Sequence, residues 1–138
     1  MFRTTLKITS EREGDILDIT GPVRDAVRKS TIKTGLVHLF VTHSTAALTT
    51  IEYEPGVLAD LRRSLSLVAP EDLPYAHDTR WGDGNGRSHV RAALVGPSLM
   101  IPLENGELLC GTWQQLVLLE LDVNAGRERT IICTVTGG

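Results

Sequence analysis

The sequence predicts an α+β fold, in which a mostly antiparallel, sandwich-like sheet of about eight strands carries about three helices. Most aliphatic segments are short and are separated by connections of hairpin length, and helical crossovers are not the repeating unit. Hydrophobic residues make up 41% of the chain but aromatic residues only 4%, which predicts a core of valine, leucine, isoleucine and alanine. A length of 138 residues is typical of one domain covering residues 1–138.

The N-terminal segments predict a hairpin followed by a helix. Apolar and polar residues alternate over residues 2–9, as in a half-buried strand, and residues 15–20 form the returning strand after the Glu13-Gly14 turn. Gly21-Pro22 begins a helix, because proline in the first turn loses no hydrogen bond that the helix needs. Residues 30–35 end this helix.

The middle of the chain predicts a second hairpin-like unit and the longest helix. Residues 36–42 are almost continuously apolar, which favours a strand buried on both faces. Residues 46–51 form the next strand, with His43 at the bend between them. After Pro55-Gly56, an apolar stripe with helical spacing predicts a helix over residues 57–68.

The C-terminal half combines a polar loop with several strands. Residues 71–87 have the composition of a loop, and loops of this length are more often functional or mobile than neutral. Ser88 is the expected N-cap of a short helix. Asn105-Gly106 is a strong signal for a two-residue hairpin turn. The remaining elements are a helix over residues 89–95, strands over 98–103, 107–110, 115–121 and 129–136, and a turn at 124–126.

Composition excludes several classes of function. The net charge of −3 provides no broad basic surface, which argues against nucleic-acid binding. The sequence has neither a signal-peptide pattern nor an apolar run near the ~20 residues of a membrane span, so we expect no membrane association and a cytoplasmic location. The two cysteines, Cys110 and Cys133, have no spacing typical of a redox or zinc motif and are expected to be buried apolar residues.

Three histidines lie at the predicted ends of elements: His43, His77 and His89. If they converge, their imidazoles would suit a divalent metal ion such as zinc, with a coordination position left for water or substrate. Their spacing matches no compact metal signature. The alternative, in which they are loop histidines that only form hydrogen bonds, therefore remains open.

Other candidate residues are concentrated between His77 and Gln114. Asp83 and Asn85 in GDGNG could supply oxygen ligands, or the segment could be a simple turn. The Thr112 hydroxyl and the Gln114 amide could bind an anion; alternatively, Gly111 marks a β-bulge and Trp113 anchors the core. Outside this stretch, Glu52 follows an apolar strand and could orient His43 or relay a proton to it, or could be a solvated strand end.

The sequence resembles the YjbQ-like family, whose members are called secondary thiamine-phosphate synthases. The resemblance rests on THSTAALTTIE (42–52), HDTRWGDGNGRSHVRAALVGPSLMIP (77–102) and GELLCGTWQQLVLLELD (106–122). Two departures stand out: Ser44 and Thr45 occur in swapped order, and Arg87 occupies a position where many members carry histidine or an aromatic residue. Arginine there favours a role in contacting an anion.

The resemblance implies a compact, β-rich α+β fold, a homotrimer, and a pocket formed by these blocks. It also implies a weak transferase activity that joins hydroxymethylpyrimidine diphosphate to thiazole phosphate and releases pyrophosphate. The expected ligand is a small phosphorylated molecule or anion. Two alternatives remain open: a metal-dependent hydrolase or lyase, and a non-catalytic trimeric protein that binds a small anion. The residues expected to act are His43, Glu52 and His89 in catalysis, Ser44, Thr45, Asp83, Asn85, Arg87, Thr112 and Gln114 in substrate binding, and His43, His77 and His89 as metal ligands.

Overall fold

The computed structural model describes residues 1–124 and 126–138, and over these residues it confirms the α+β prediction. Eight strands form two antiparallel sheets, and four helices accompany them. The predicted turn at 124–126 includes Ala125, which lies outside the described residues. In chain order the elements are β1 (Phe2–Thr9), β2 (Ile16–Asp18), α1 (Thr20–Ser30), β3 (Gly35–Val41), β4 (Ala46–Ile51), α2 (Pro55–Val68), α3 (Ala76–Trp81), α4 (Gly86–Val95), β5 (Ser98–Glu104), β6 (Glu107–Leu108), β7 (Gln115–Glu120) and β8 (Glu128–Gly137).

The two sheets join segments that are distant in sequence. One sheet has the strand order β1-β8-β3-β5-β6, and the other has the order β2-β7-β4. The predicted pairing of residues 2–9 with 15–20 is therefore wrong, since β1 pairs with β8 and β2 pairs with β7. The predicted unit of β3 and β4 is also wrong, because these strands belong to different sheets. Alternation identifies the buried face of a strand but not its partner.

The core lies between the sheets and under α1. It contains Val23 from α1, Leu39 from β3, Leu118 from β7 and Ile131 from β8, all fully buried. The prediction that β3 is buried on both faces is wrong. Its residues alternate, so that Val37, Leu39 and Val41 point inward while Leu36 and Phe40 are 43% and 40% exposed.

Local chemistry explains the helix boundaries near the site. The Glu54 carboxylate accepts the N–H groups of Gly56 (2.9 Å) and Val57 (2.8 Å), so α2 begins at Pro55, earlier than predicted. Ser88 is not an N-cap: α4 begins at Gly86, and the Ser88 hydroxyl donates to Asn85 Oδ1 at 2.8 Å. The six-residue helix α3 replaces part of the predicted loop; it lacks an apolar stripe and therefore gives no periodic signal.

One turn and one helix start require the residue types found there. The Asn105-Gly106 hairpin between β5 and β6 is confirmed, with φ values of 51° and 78° that suit a type I′ turn. Gly86, at the start of α4, lies so close to the residue before α3 that a Cβ atom there would be 2.4 Å from Tyr75 Cβ. The Gly86 N–H also donates to Asp78 Oδ1 at 2.8 Å. These contacts hold α3 against α4 and position the histidines that each helix carries.

Candidate functional site

A polar cleft lies where the turn before β4, the start of α4 and the residues after β7 meet. We call it the His43 cleft; it encloses about 360 Å³. Its lining carries almost only polar side chains, so it suits a small charged or hydrogen-bonding ligand. The lining residues are Thr42, His43, Ser44, Thr45, Asn85, His89, Asp122, Arg127 and Arg129.

The base of the cleft is a buried ion pair between Arg129 and Glu120, which are 1% and 0% exposed. Arg129 Nε donates to Glu120 Oε1 at 2.9 Å, and Nη2 donates to Glu120 Oε2 and to Thr45 Oγ1. Glu120 also accepts the Ser10 hydroxyl at 2.6 Å and the Asp122 N–H at 3.1 Å. These bonds compensate the cost of burying two charges. Nη1 of Arg129 has no hydrogen-bond partner among the described residues, so it is the charged donor that remains for a ligand.

A second carboxylate, Asp122, supports the same wall. It is 1% exposed, and its oxygens accept the Thr45 hydroxyl at 2.9 Å, Arg127 Nη1 at 2.7 Å and the Asn124 N–H at 2.7 Å. Burial alone would raise the pKa of Asp122, but the hydrogen bonds and the charge of Arg127 outweigh it, so the pKa is lowered. Asp122 therefore stays ionised and holds Arg127 at the rim of the cleft.

His43 is held in one tautomer by the backbone. Its Nε2 accepts the N–H of Thr130 at 2.9 Å, so this nitrogen carries a lone pair and the neutral ring has its proton on Nδ1. Burial lowers the pKa of His43, and the positive charges of Arg129 and Arg127 lower it further. His43 is thus a neutral hydrogen-bond donor in this arrangement. Neither nitrogen offers a free lone pair to a metal ion, which corrects its expected role as a metal ligand.

His77 and His89 lie side by side where α3 meets α4. Their ring centroids are 4.5 Å apart, with an angle of 43° between the ring planes. His77 Nδ1 is buried without a hydrogen-bond partner among the described residues, and lies 3.3 Å from Asp83 Oδ1 and 3.5 Å from Asp78 Oδ1. One atom from each of His77, Asp78 and Asp83 would suit a divalent cation. The structure therefore offers a ligand set different from the three expected histidines.

These features lie within a chain that matches one protein family almost throughout. The family model described as "UPF0047 protein YjbQ-like" matches residues 4–138. The chain belongs to the YjbQ-like family. This result confirms the resemblance inferred from the three sequence blocks.

Relatives and solved structures of YjbQ-like proteins cover the same length. A UPF0047 protein of Methanothermobacter thermautotrophicus is 34% identical over 137 residues, which cover 99% of this chain and 93% of the relative. The UPF0047 protein YjbQ of Salmonella typhimurium is 33% identical over 138 residues, covering 99% and 98%. The crystal structure of a YbjQ-like protein of unknown function from Sulfolobus solfataricus gives a TM-score of 0.93 at 31% identity, covering 99% of this chain and 97% of that one. These similarities establish the family and the fold.

Several predicted residues of this YjbQ-like chain do meet. His43, Ser44, Thr45, Asn85 and His89 all line the His43 cleft. Asn85 is 7% exposed, and its Oδ1 accepts the Val123 N–H at 3.0 Å, so its amide also fixes the wall of the cleft.

His77 and Asp83 lie beside this group rather than in the cleft. His77 contacts His89, and Asp83 Oδ1 accepts the Asn85 N–H at 3.1 Å. Both residues therefore adjoin the cleft through residues that line it.

Three predicted residues lie at the other end of β4. Glu52 and Thr112 line a separate cleft of about 400 Å³ beside Trp113, which is 72% exposed and does not anchor the core. The six residues of β4 separate this end from His43 by roughly 17 Å. This separation corrects the expected relay from Glu52 to His43 within one chain. The Gln114 side chain forms hydrogen bonds within the chain: its Oε1 accepts the Gly111 N–H at 2.9 Å, which stabilises the turn before β7, and its Nε2 donates to Thr50 Oγ1 at 3.1 Å.

Arg87 also points away from the His43 cleft. Its Nε and Nη2 donate to the two carboxylate oxygens of Glu13 at 2.9 and 3.0 Å. The hydrogen bond to Glu13 raises the pKa of Arg87. Its expected contact with a ligand in the cleft is therefore corrected, although Arg87 lines a different cavity, described below.

Four charged residues that form the base, wall and rim of the cleft were not predicted from the sequence: Glu120, Asp122, Arg127 and Arg129. A signal for them was present, since Glu120 directly follows the apolar, buried residues 116–119 of β7. A carboxylate in such a strand requires a buried positive partner. Arg129, the second residue of β8, is the natural candidate because β8 is the next strand along the chain.

Helices in the described part of the chain are too short or too polar to cross a membrane.

Proposed function

We propose that this YjbQ-like protein binds a phosphorylated small molecule in the His43 cleft and catalyses the transferase reaction implied by its family resemblance. In that reaction hydroxymethylpyrimidine diphosphate and thiazole phosphate combine and pyrophosphate is released. The observation that carries the proposal is that Arg129 and His43 both line one polar cleft. Arg129 keeps Nη1 without a partner among the described residues, and His43 carries its proton on Nδ1, so each has a donor left for a ligand. Arg127, 45% exposed in its side chain and paired with Asp122, adds a positive charge at the rim.

The chemistry requires anion stabilisation more than proton transfer. The lone pair of the thiazole nitrogen forms a bond to the pyrimidine methylene carbon, and the C–O electron pair leaves with pyrophosphate. No proton is removed when these bonds exchange, so a neutral, donating His43 is suited to the reaction. The donors act on the charge that develops on the leaving oxygen, as in other preorganised electrostatic sites. A divalent cation held by His77, Asp78 and Asp83 would add neutralising charge.

The test uses purified protein with both substrates and measures pyrophosphate and thiamine phosphate together. The variant with both His43→Ala and His89→Ala is expected to lose the activity. Glu52→Gln is the matched control, because Glu52 lies at the other end of β4, and it should retain activity within about twofold. Turnover no higher in the wild type than in the double variant would refute the transferase proposal.

Inorganic pyrophosphate distinguishes a non-catalytic binding protein from an enzyme. Because a ligand that binds the native state raises the apparent melting temperature, the wild type should be stabilised by pyrophosphate and the double variant should not. Stabilisation without product from the two substrates would favour the binding protein.

The second candidate is a metal-dependent hydrolase or lyase, and the unpartnered His77 Nδ1 beside two carboxylates supports it. Metal-bound water would be its nucleophile. Zinc titration followed by metal analysis tests it: about one equivalent is expected in the wild type and a small fraction in His77→Ala. Because the Nε2 lone pair of His43 already accepts a backbone hydrogen bond, His43 is not expected to be a metal ligand, and His43→Ala should retain the metal. Less than about 0.2 equivalents in the wild type would exclude this candidate.

The proposal includes a homotrimer, and an uncovered face of the larger sheet supports it. Leu36, Phe40 and Met100 are 43%, 40% and 58% exposed on that face, and Phe40 pairs with Ile132 of the adjacent strand. Exposed apolar patches of this kind are typical of interfaces. Light scattering should give three times the 15.0 kDa chain mass for the wild type and a smaller mass for Met100→Glu. A monomeric wild type would contradict the trimer.

A further inference from the structure

A second cavity of about 350 Å³ lies on the other side of α4, under α2 and beside β7. We call it the Arg62 cavity. The side chains relevant to its chemistry are Arg62, Leu65, Arg87, Arg91, Leu119 and Leu121. Asn85, which precedes α4, and His89 of α4 line the His43 cleft, whereas Arg87 and Arg91 of α4 line this cavity. The two sites are therefore distinct.

The lining of the cavity carries equal numbers of positive and negative side chains, but these differ in how many of their polar atoms already form hydrogen bonds. Glu13 receives two hydrogen bonds from Arg87 and lies 3.5 Å from Arg91 Nη1, so both of its oxygens are occupied. Asp15 Oδ2 accepts the N–H groups of Glu11 and Arg12 and serves the turn before β2. Glu13 is thus committed to contacts within the chain through both oxygens and Asp15 through one. Glu71, the third carboxylate of the lining, is 80% exposed in its side chain and lies 3.9 Å from Arg87 Nη2.

Two arginines retain unused donors. Arg91 is 10% exposed in its side chain, and its Nε donates to Ala69 O at 2.9 Å, while Nη2 has no partner among the described residues. Arg62 Nε donates to Gly14 O at 2.7 Å, which orients the guanidinium; within the described chain, Nη1 and Nη2 are unpartnered. Guanidinium groups with free N–H pairs are suited to carboxylates.

The remaining wall is apolar. Leu119 and Leu121 are 1% and 3% exposed and form the floor, and Leu65 of α2 forms one side. A volume of about 350 Å³ lies in the usual range for small-molecule sites, roughly 300–1,000 Å³. An apolar ligand body would displace water from this floor, which is favourable.

We propose that the Arg62 cavity is a second ligand site, for a small carboxylic acid with an apolar body. The carboxylate would contact Arg62 and Arg91, and the apolar body would lie on Leu65, Leu119 and Leu121. Three arginines (Arg62, Arg87 and Arg91) and three carboxylates line the cavity, so their charges cancel. A monocarboxylate would leave one uncompensated negative charge and a dianion would leave two, so the singly charged ligand is favoured over a dianion.

The experiment is a titration of the full-length, ¹⁵N-labelled protein with 4-phenylbutyrate, followed by amide chemical shifts. We expect saturable shifts for Gly14, Ser66 and Leu119, which border the cavity. Acetate has the charge without the apolar body, and 4-phenylbutanol has the apolar body without the charge. Both should bind at least about tenfold more weakly, because each lacks one half of the recognition.

Two variants on the same helix test the assignment. Arg62→Gln removes the charged donor and should weaken 4-phenylbutyrate binding by about tenfold or more. Arg63→Gln is the matched control: Arg63 pairs with Asp60 on the exposed face of α2, so binding should not change. Both positions are exposed, so both variants should fold, which the amide spectra check directly.

Equal affinities of Arg62→Gln and Arg63→Gln would overturn the proposal, as would shifts confined to the His43 cleft or no saturable shifts at all. The His43→Ala variant separates this site from the proposed transferase function. Pyrophosphate should no longer raise the melting temperature of this variant, but the variant should still bind 4-phenylbutyrate. The failure of one proposal can therefore be told apart from the failure of the other.

Discussion

The substitution Arg129→Met tests whether the buried ion pair at the base of the His43 cleft stabilises the fold as well as the site. Methionine has a similar length and no charge, so it retains much of the packing. It removes every bond from the guanidinium to Glu120 and Thr45. Within the described part of the chain, Glu120, 0% exposed, would then have only the Ser10 hydroxyl and the Asp122 N–H as donors.

The expected loss of unfolding free energy is about 3–5 kcal/mol, the usual cost of leaving one charge of a buried pair without its partner. A domain of 138 residues has a total stability of roughly 7–20 kcal/mol, so the variant should fold but be much weaker. Adding Glu120→Leu removes the orphaned carboxylate. The double variant should therefore recover at least about 1.5 kcal/mol, because an apolar pair can replace a buried ion pair.

Urea unfolding at one fixed protein concentration measures these differences, since assembly would otherwise change the apparent stability. Arg63→Met is the control: its pair with Asp60 has exposures of 69% and 58%, so the loss should be below about 1 kcal/mol. A loss for Arg129→Met no larger than that of the control would refute the reasoning. So would a double variant less stable than Arg129→Met alone.

Three further predictions follow from single contacts. The pKa of His43 is lowered in the folded state, so below pH ~6.5 the unfolded state binds the proton more readily and the free energy of unfolding decreases as the pH is lowered. In urea titrations, His43→Gln should show a smaller decrease between pH ~7 and pH ~5 than the wild type. Gly86→Ala should destabilise the chain by about 1–3 kcal/mol, because the added Cβ would lie 2.4 Å from Tyr75 Cβ; an unchanged melting temperature would contradict this. Burial raises the pKa of Cys133 to about 11, so iodoacetamide at pH 8 should label at most Cys110 in the folded protein, and mass spectrometry of the native chain shows which cysteine reacts.

Local elements of the fold were predictable because their signals are local. The alternation of residues 2–9 matches the burial of β1, and Asn105-Gly106 specifies its turn through the φ values it favours. Strand partners were not predictable, because alternation is equally satisfied by β1 against β2 and by β1 against β8. The helix α3 was missed because six residues with no buried side chain carry no periodic signal.

The candidate site was only partly predictable for a related reason. His43 and His89 were found because they stand at element ends, where side chains can meet. Glu52 was placed with His43 because the two are close in sequence, but an intervening strand separates them in space. Arg129 was missed because an arginine at the start of an apolar strand looks solvated until its partner, Glu120, is known to be buried.

The buried pair also specifies the register of β7. Glu120 and Asp122 bind Arg129 and Arg127 of the His43 cleft, while Leu119 and Leu121 line the Arg62 cavity. A slip by one residue would exchange these faces, since side chains alternate with a period of two. The carboxylates would then lie against Leu65, without Arg129 or the Thr45 hydroxyl, at the cost of unpaired buried charge. The same charges that shape the cleft thus exclude the alternative pairing of the strand.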